Sequence, residues 1–284
     1  MGGCGSPLPL FVGIPGVDNV SISRCHFLMR NKLLLLPALF LMLAASMQSI
    51  ATAETDAACY ELRVYYAAPG KLDDLHARFR NHTMKIFQTH GMQNFGYWVP
   101  LDNTNNTLIY LLGHKDRDTA KKSWSEFSSD PEWKQVQKES EANGKLVNRV
   151  ESTFLTRTDY SPDVKNTKTA APRTFELRTY KATAGKLDDL HARFRDHTLR
   201  LFSKHGMAHY GYWTPMDKSK GADDTLIYIL AHKNREAAEA SFKDFREDPD
   251  WIAVRKASEE KAGGSLTVKV DSLFMKPTDY SPTQ

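Results

Sequence analysis

The stretch GKLDDLHARFR at Gly70–Arg80 returns letter for letter at Gly185–Arg195, and its reading decides the fold. Around it the echo continues. YELRVYY at Tyr60–Tyr66 is answered by FELRTYK at Phe175–Lys181, HGMQNFGYWVP at His90–Pro100 by HGMAHYGYWTP at His205–Pro215, and TLIYLLGHK at Thr107–Lys115 by TLIYILAHK at Thr225–Lys233. SSDPEW is answered by REDPDW, and TDYSP closes each copy, at Thr158–Pro162 and Thr278–Pro282. A unit of roughly 100 residues has the size of a domain and is too long for a solenoid module. One fold therefore has to be solved and then paired with itself.

Within the unit, Tyr60–Tyr66 alternates, with Tyr60, Leu62 and Val64 on one face and Glu61, Arg63 and Tyr65 on the other, which predicts a half-buried strand. Pro69-Gly70 breaks it. A helix follows over Lys71–His90. Leu72, Leu75, Phe79, His82 and Ile86 are spaced as one helical face, and Leu187, Leu190, Phe194, His197 and Leu201 repeat it. Asp73 and Asp74 suit the positive end of that helix, and Gly91 suits its C-terminal cap. Two strands, Met92–Val99 and Thr107–His114, flank an Asn-rich hairpin loop that the second copy lengthens with Lys218–Gly221. A helical stretch, a break at Asp130-Pro131, a further helix to Glu141 and a strand over Val147–Arg157 complete the unit.

The order β-α-β-β-α-β predicts an α+β fold of two ferredoxin-like domains, each an antiparallel sheet with helices on one face. The bare face of each sheet needs a cover, and the second copy can supply it as a pseudo-two-fold partner. The domains are expected at residues 57–157 and 174–277, joined by a polar linker, 158–173, and followed by a tail, 278–284.

Residues 29–53 read as a secretory leader. Arg30 and Lys32 make a basic start, Leu33–Leu43 is an apolar run, and Ala51-Thr52-Ala53 is a cleavage signal. Export with cleavage near Ala53 is expected, and the mature chain is expected not to span a membrane. Residues 1–28 look like neither a signal nor a domain, and Met29 reads as the true start. The net charge of +4 is spread along the chain, with no basic stripe to suggest nucleic acid. Of the three cysteines only Cys59 follows the leader, so this is no disulfide scaffold.

Taken as a series, YELRVYY, PGKLDDLHARFRNHT, HGMQNFGYW, TLIYLLGHK and SSDPEW resemble the NIPSNAP family of the dimeric α+β barrel superfamily, over nearly all of Tyr60–Leu155 and again Phe175–Met275. The resemblance implies sheets that pair back to back as an intramolecular α+β barrel. It implies little about chemistry, because members of the family mostly lack a defined activity. The wider superfamily includes cofactor-free monooxygenases, haem-degrading enzymes and haem peroxidases, so function has to come from the site.

His82 and His197 are the first candidates. On the apolar stripe an imidazole faces the sheet, where it is either a hydrogen-bonded core histidine or a pocket residue able to act as acid, base or haem ligand. His90 and His205 suit a helix C-terminus, His114 and His232 are expected to face solvent at a strand end, and His76 and His191 to be solvated. No spacing suits a metal. Glu61 with Arg63, and Glu176 with Arg178, are expected on the strand face away from the helices. There they form either an ion-pair network that docks the halves or a polar pocket between the sheets, with Arg63 or Arg178 holding a carboxylate. Tyr97, Trp98, Tyr212 and Trp213, on both sides of the sheet, would make any cavity apolar and flat.

Three functions follow. Binding of a small hydrophobic or planar ligand between helices and sheet comes first. An oxygenase or haem-linked enzyme using His82 and His197 comes second, and an interaction module third. Any site is expected in pairs. No cofactor is firmly implied, and haem is the one considered.

Overall fold

A computed structural model describes residues 57–169 and 171–284, so the leader reading at 29–53 and the stretch 1–28 lie outside the described residues. The alternating segment forms β1 (Cys59–Ala67), followed by β2 (Gln93–Pro100), β3 (Thr107–His114) and β4 (Val147–Arg157). The second copy supplies β5 (Thr174–Ala182), β6 (Ala208–Pro215), β7 (Thr225–His232) and β8 (Thr267–Pro277). Within each half the sheet runs β4-β1-β3-β2 or β8-β5-β7-β6, antiparallel throughout, with Leu62 opposite Leu111 and Thr153, and Leu177 opposite Ile229 and Leu273.

The two sheets do more than face each other. Trp98, Val99 and Pro100 of β2 pair with Pro277, Lys276 and Met275 of β8, and Leu155, Thr156 and Arg157 of β4 pair with Pro215, Thr214 and Trp213 of β6. The last strand of each half thus joins the other half, and eight strands close into one barrel. Its interior is a single apolar cluster drawn from both copies, including Tyr60, Leu62, Phe95, Trp98, Phe175, Tyr210, Trp213 and Met275. Apolar side chains suit it because a polar group buried there would lose its hydration without a partner. Gly96 and Gly211 follow a bulge in β2 and β6, and each lies under the indole of the tryptophan two residues on. A Cβ there would come within 2.1 Å of Trp98 and 2.4 Å of Trp213, which explains the glycine before each Tyr-Trp pair.

Helices cover the outer face of each sheet. In the first half these are α1 (Leu72–Arg78), a π-helical turn (Phe79–Thr83), α2 (Met84–Thr89), α3 (Arg117–Ser129) and α4 (Pro131–Ser140). In the second they are α5 (Leu187–Arg193), a π turn (Phe194–Thr198), α6 (Leu199–Lys204), α7 (Arg235–Glu247) and α8 (Pro249–Lys261). Asp130 and Asp248 cap α4 and α8 through their side chains, with Pro131 and Pro249 in the first turn.

The π turn corrects the helix reading. A π turn holds one more residue than an α turn, so the position that next returns to the sheet after Phe79 is Thr83, not His82. Thr83 and Thr198 are about 1% exposed, and each hydroxyl donates to the carbonyl five residues back, of Arg78 and Arg193. His82 and His197 turn outward and are exposed.

The repeated TDYSP segments fasten the halves reciprocally. Tyr160, from the first copy, hydrogen-bonds His191 of the second, and Asp159 makes two bonds to Arg195. Tyr280, from the second copy, hydrogen-bonds His76 of the first, and Asp279 makes two bonds to Arg80. The Ser161 and Ser281 hydroxyls accept from the backbone N–H groups of Tyr212 and Tyr97 at 3.0 Å. His76 and His191, expected to be solvated, are therefore half-buried and partnered.

Candidate functional site

Each half has an aromatic cluster between helices and sheet, and a polar group is embedded in it. In the first half Glu61 is 1% exposed, and its carboxylate accepts four hydrogen bonds. Arg63 donates at 2.5 Å and Ser152 at 2.6 Å to one oxygen; Trp124 Nε1 at 2.7 Å and His114 Nε2 at 3.2 Å donate to the other. Burial raises the carboxyl's pKa most strongly, but His114, Arg63, Ser152 and Trp124 together outweigh it and bring the value down to about 2. The Arg63 guanidinium lies 4.1 Å from the centre of the Trp124 ring.

This overturns two expectations. Glu61, Arg63, Glu176 and Arg178 face the helices and not the other domain, because the apolar alternation of β1 and β5 is consumed by the barrel interior. The space between the sheets holds an apolar cluster of hydrocarbon and rings from both copies. His114 and His232, expected to meet solvent, are 0% and 4% exposed and serve as donors to Glu61 and Glu176. Their place follows from register, since Cys59 opposite His114 puts the strand-end imidazole beside Glu61. A Glu two residues into one strand and a His at the end of its neighbour was the available signal.

The other residues separate by side. Tyr97 and Tyr212 lie fully buried in the helix-side clusters, stacked on Tyr110 and Tyr228 with ring centres 5.3 and 5.1 Å apart. Trp98 and Trp213 lie on the opposite face, inside the barrel. His82 and His197 sit in open grooves on the outer side of the first helix, of about 380 and 410 Å³. The wall beside His82 carries Asp74, Asn81, Glu139 and Asn143, which would set carboxylates and amides against an apolar macrocycle. That wall does not suit haem at His82; the groove beside His197 is lined instead by Ala192, Ala253, Val254 and Ala257 with Asp189, Asp196 and Lys261. Among the described residues no group of three or more His, Cys, Asp or Glu is placed to hold a metal ion, and no helix is long and apolar enough to cross a membrane.

In the second half the same layer opens. A cavity of about 270 Å³ lies between the sheet and the helices, walled by Phe194, Phe202, Phe242, Phe245 and Trp251, with Arg178 and Arg193 in its polar end. Aligned on the Asp-Pro that starts α4 and α8, Phe242 stands where the first half has Trp124. The smaller ring gives up the indole's volume and its N–H bond to the carboxylate. Ser272 at 2.5 Å, Arg178 and His232 at 3.2 Å remain on Glu176, and these bonds still hold its carboxyl below the usual range although burial, the largest influence, pushes it up. The helix above it also sits differently. α4 buries Val136 against the sheet, whereas α8 buries no residue and leaves Ile252 54% exposed. His82 and His197 do sit in matching grooves, as expected of a repeated unit, but the two halves differ at the residues that fill the aromatic layer.

Comparison with known proteins was consistent along the chain. The NIPSNAP family model matches residues 60–162 and 175–282. Among solved structures the chain is similar to an uncharacterised NIPSNAP domain protein from Burkholderia xenovorans, at 19% identity and TM-score 0.33, over 37% of this chain and 99% of that one. It is similar to a NIPSNAP family protein from Agrobacterium tumefaciens str. C58, at 21% identity and TM-score 0.33, over 37% and 96%. A candidate monooxygenase from Lactobacillus acidophilus NCFM aligns over 77% of this chain and 93% of its own, at 11% identity and TM-score 0.48. No curated protein matches.

Proposed function

The chain belongs to the NIPSNAP family, and from that premise we propose that it binds a small, flat, apolar ligand between the helices and the sheet of its second half. The observation that carries this reading is the aromatic-walled cavity of about 270 Å³ under α7 and α8. It lies just below the range of roughly 300–1,000 Å³ usual for pockets that take drug-sized ligands, so it suits a smaller molecule. Phenyl rings on several sides favour a planar body that can stack or meet their edges.

The test is a screen of small aromatic compounds against the full chain by native mass spectrometry, followed by the same screen on Phe242→Trp. That substitution copies into the cavity the residue that the first half packs at the equivalent place, where its indole donates to the buried carboxylate. One-to-one adducts that disappear in the variant support the reading. Adducts that persist in Phe242→Trp, or no adduct with any compound, overturn it.

A further inference from the structure

We propose that the ligand of the second-half cavity carries a single carboxylate, held by Arg193 beside Arg178, and is thus a small aromatic or otherwise flat monocarboxylic acid. This rests on the binding reading above and adds the chemical class of the ligand.

Arg193 is 6% exposed, and its Nε and Nη1 have no hydrogen-bond partner. Glu259 lies 3.7 Å away, outside hydrogen-bond distance. The equivalent Arg78 in the first half donates to Glu141 at 3.0 Å and to Ser140 at 3.4 Å. The difference has an identified source. Arg255 stands where the first half has Gln137, and its Nε takes Glu259 at 3.3 Å, drawing the carboxylate outward along α8. A buried guanidinium with two unmade donors aimed at a cavity is costly unless an acceptor arrives. Burial also pulls the pKa of Arg193 below the usual guanidinium value, with Glu259 restoring part of it.

The donor count favours a single carboxylate. Arg178 is hydrogen-bonded to Glu176, whereas Arg193 has Glu259 only as an ion-pair partner at 3.7 Å and keeps two donors unmade. A planar carboxylate can meet Nε and an η nitrogen of one guanidinium side by side. The approach carries one further cation. The cavity shares Arg246, Trp251, Arg255 and Glu259 with an outer groove of about 560 Å³ that adds Lys256 and Glu260; Arg255 and Lys256 are paired with Glu259 and Glu260, and Arg246, in place of Ser128 of the first half, is the added positive charge. Three substitutions between matched positions, Trp124 to Phe242, Gln137 to Arg255 and Ser128 to Arg246, therefore act together. The first makes room, the second frees Arg193, and the third adds positive charge at the mouth.

The test compares 1-naphthoate with its neutral isostere 1-naphthamide by isothermal titration of the full chain. Naphthoate is expected to bind at least tenfold more tightly, with the advantage shrinking as salt rises. Arg193→Met should bring the two to within twofold, while Arg78→Met leaves the ratio unchanged. Because Arg193→Met removes a buried guanidinium whose donors are only partly met, circular dichroism should show it folded; the ratio on the unaltered chain stands even if it is not. Equal affinities on the unaltered chain overturn the carboxylate assignment and leave the apolar binding reading intact. Binding of neither compound, or of both undiminished in Phe242→Trp, overturns both.

Discussion

The phenol of Tyr160 meets Nδ1 of His191 at 2.7 Å across the boundary between the two copies, and Tyr280 meets His76 at 2.8 Å in the reverse direction. The same helices that repeat letter for letter are the ones gripped by the other copy's TDYSP segment. Their identity is explained by this grip: His76 and Arg80, and His191 and Arg195, each serve a Tyr and an Asp that are themselves repeated. The outward-facing His82 and His197 take no part in it.

Removing residues 278–284 should weaken the whole barrel, because it takes away Tyr280, the Ser281 hydroxyl on the Tyr97 N–H and the fully buried Thr283, whose hydroxyl donates to the Phe95 carbonyl at 2.9 Å. At roughly 1 kcal/mol for each buried hydrogen bond, the truncation is expected to cost about 3 kcal/mol or more, read as a lower urea midpoint. Tyr280→Phe alone should cost about 1 kcal/mol. An unchanged midpoint in the truncated chain would show the clasp to be incidental.

Stability should fall as pH drops below about 6.5. Burial lowers the pKa of His76, His191 and His209, so the fold prefers them neutral. Asp73 and Asp279 pull His76 back up, and Arg80 and Lys276 push it down. A histidine with a depressed folded-state pKa contributes fully above its unfolded value, and that contribution is lost as the unfolded chain takes up protons below it. His76→Gln with His191→Gln should flatten the slope of melting temperature against pH between 7.5 and 5.5. A slope as steep as that of the unaltered chain would refute the assignment.

Acid should act a second time through Glu61. With the folded carboxyl at about 2 against an ordinary 4.5, its stabilisation is complete above about pH 4.5 and drains away toward pH 2. Glu61→Gln leaves Arg63 buried without its counter-ion and should cost on the order of 3–5 kcal/mol at pH 7. The variant's stability should also change less than the unaltered chain's between pH 4.5 and 2, which denaturant titrations at a series of pH values will measure.

Gly96→Ala and Gly211→Ala should each be destabilising, since the new methyl would overlap an indole that cannot leave the barrel interior. Overpacking of this kind costs typically 1–3 kcal/mol, seen as a shifted midpoint with an unchanged denaturant slope.

Cys59 should be inert in the folded chain. It is 1% exposed, burial pushes its thiol up to about 11, and its sulfur lies 3.6 Å from that of Met216. Titration with a disulfide reagent at pH 8 should detect no thiol at residue 59 until denaturant is added; rapid labelling of that residue in native buffer would contradict the burial.

Much of this fold is legible in the chain. The alternation in Tyr60–Tyr66, the breaks at Pro69-Gly70 and Asp130-Pro131, and the duplication itself lead to the strand order and to a core shared by both copies. His82 illustrates what is not legible. The spacing of Leu72, Leu75, Phe79, His82 and Ile86 is as good as that of Phe79, Thr83, Ile86 and Phe87, and only the π turn, closed by a threonine hydroxyl on a distant carbonyl, selects the second. Glu61 and Arg63 mislead for a related reason. A polar strand face suggests exposure or an interdomain pair, but the donors that satisfy it come from Trp124 in a helix and Ser152 in a strand far along the chain. The candidate site was partly visible, because Phe242 against Trp124 and Arg255 against Gln137 can be read from the aligned repeats. Their meaning depends on how α8 lies, which neither copy reveals alone.

The Phe242 and Trp124 difference also bears on why two copies share one polypeptide. In a symmetric dimer made from a single gene, every substitution appears twice, so opening one cavity opens both and any loss of stability is doubled. Joining the copies end to end removes that coupling. The first half can keep its tightly packed indole and saturated carboxylate as ballast, while the second gives up packing for a vacancy. The linker thus gives the molecule independence between its halves, and with it the freedom to assign them different work.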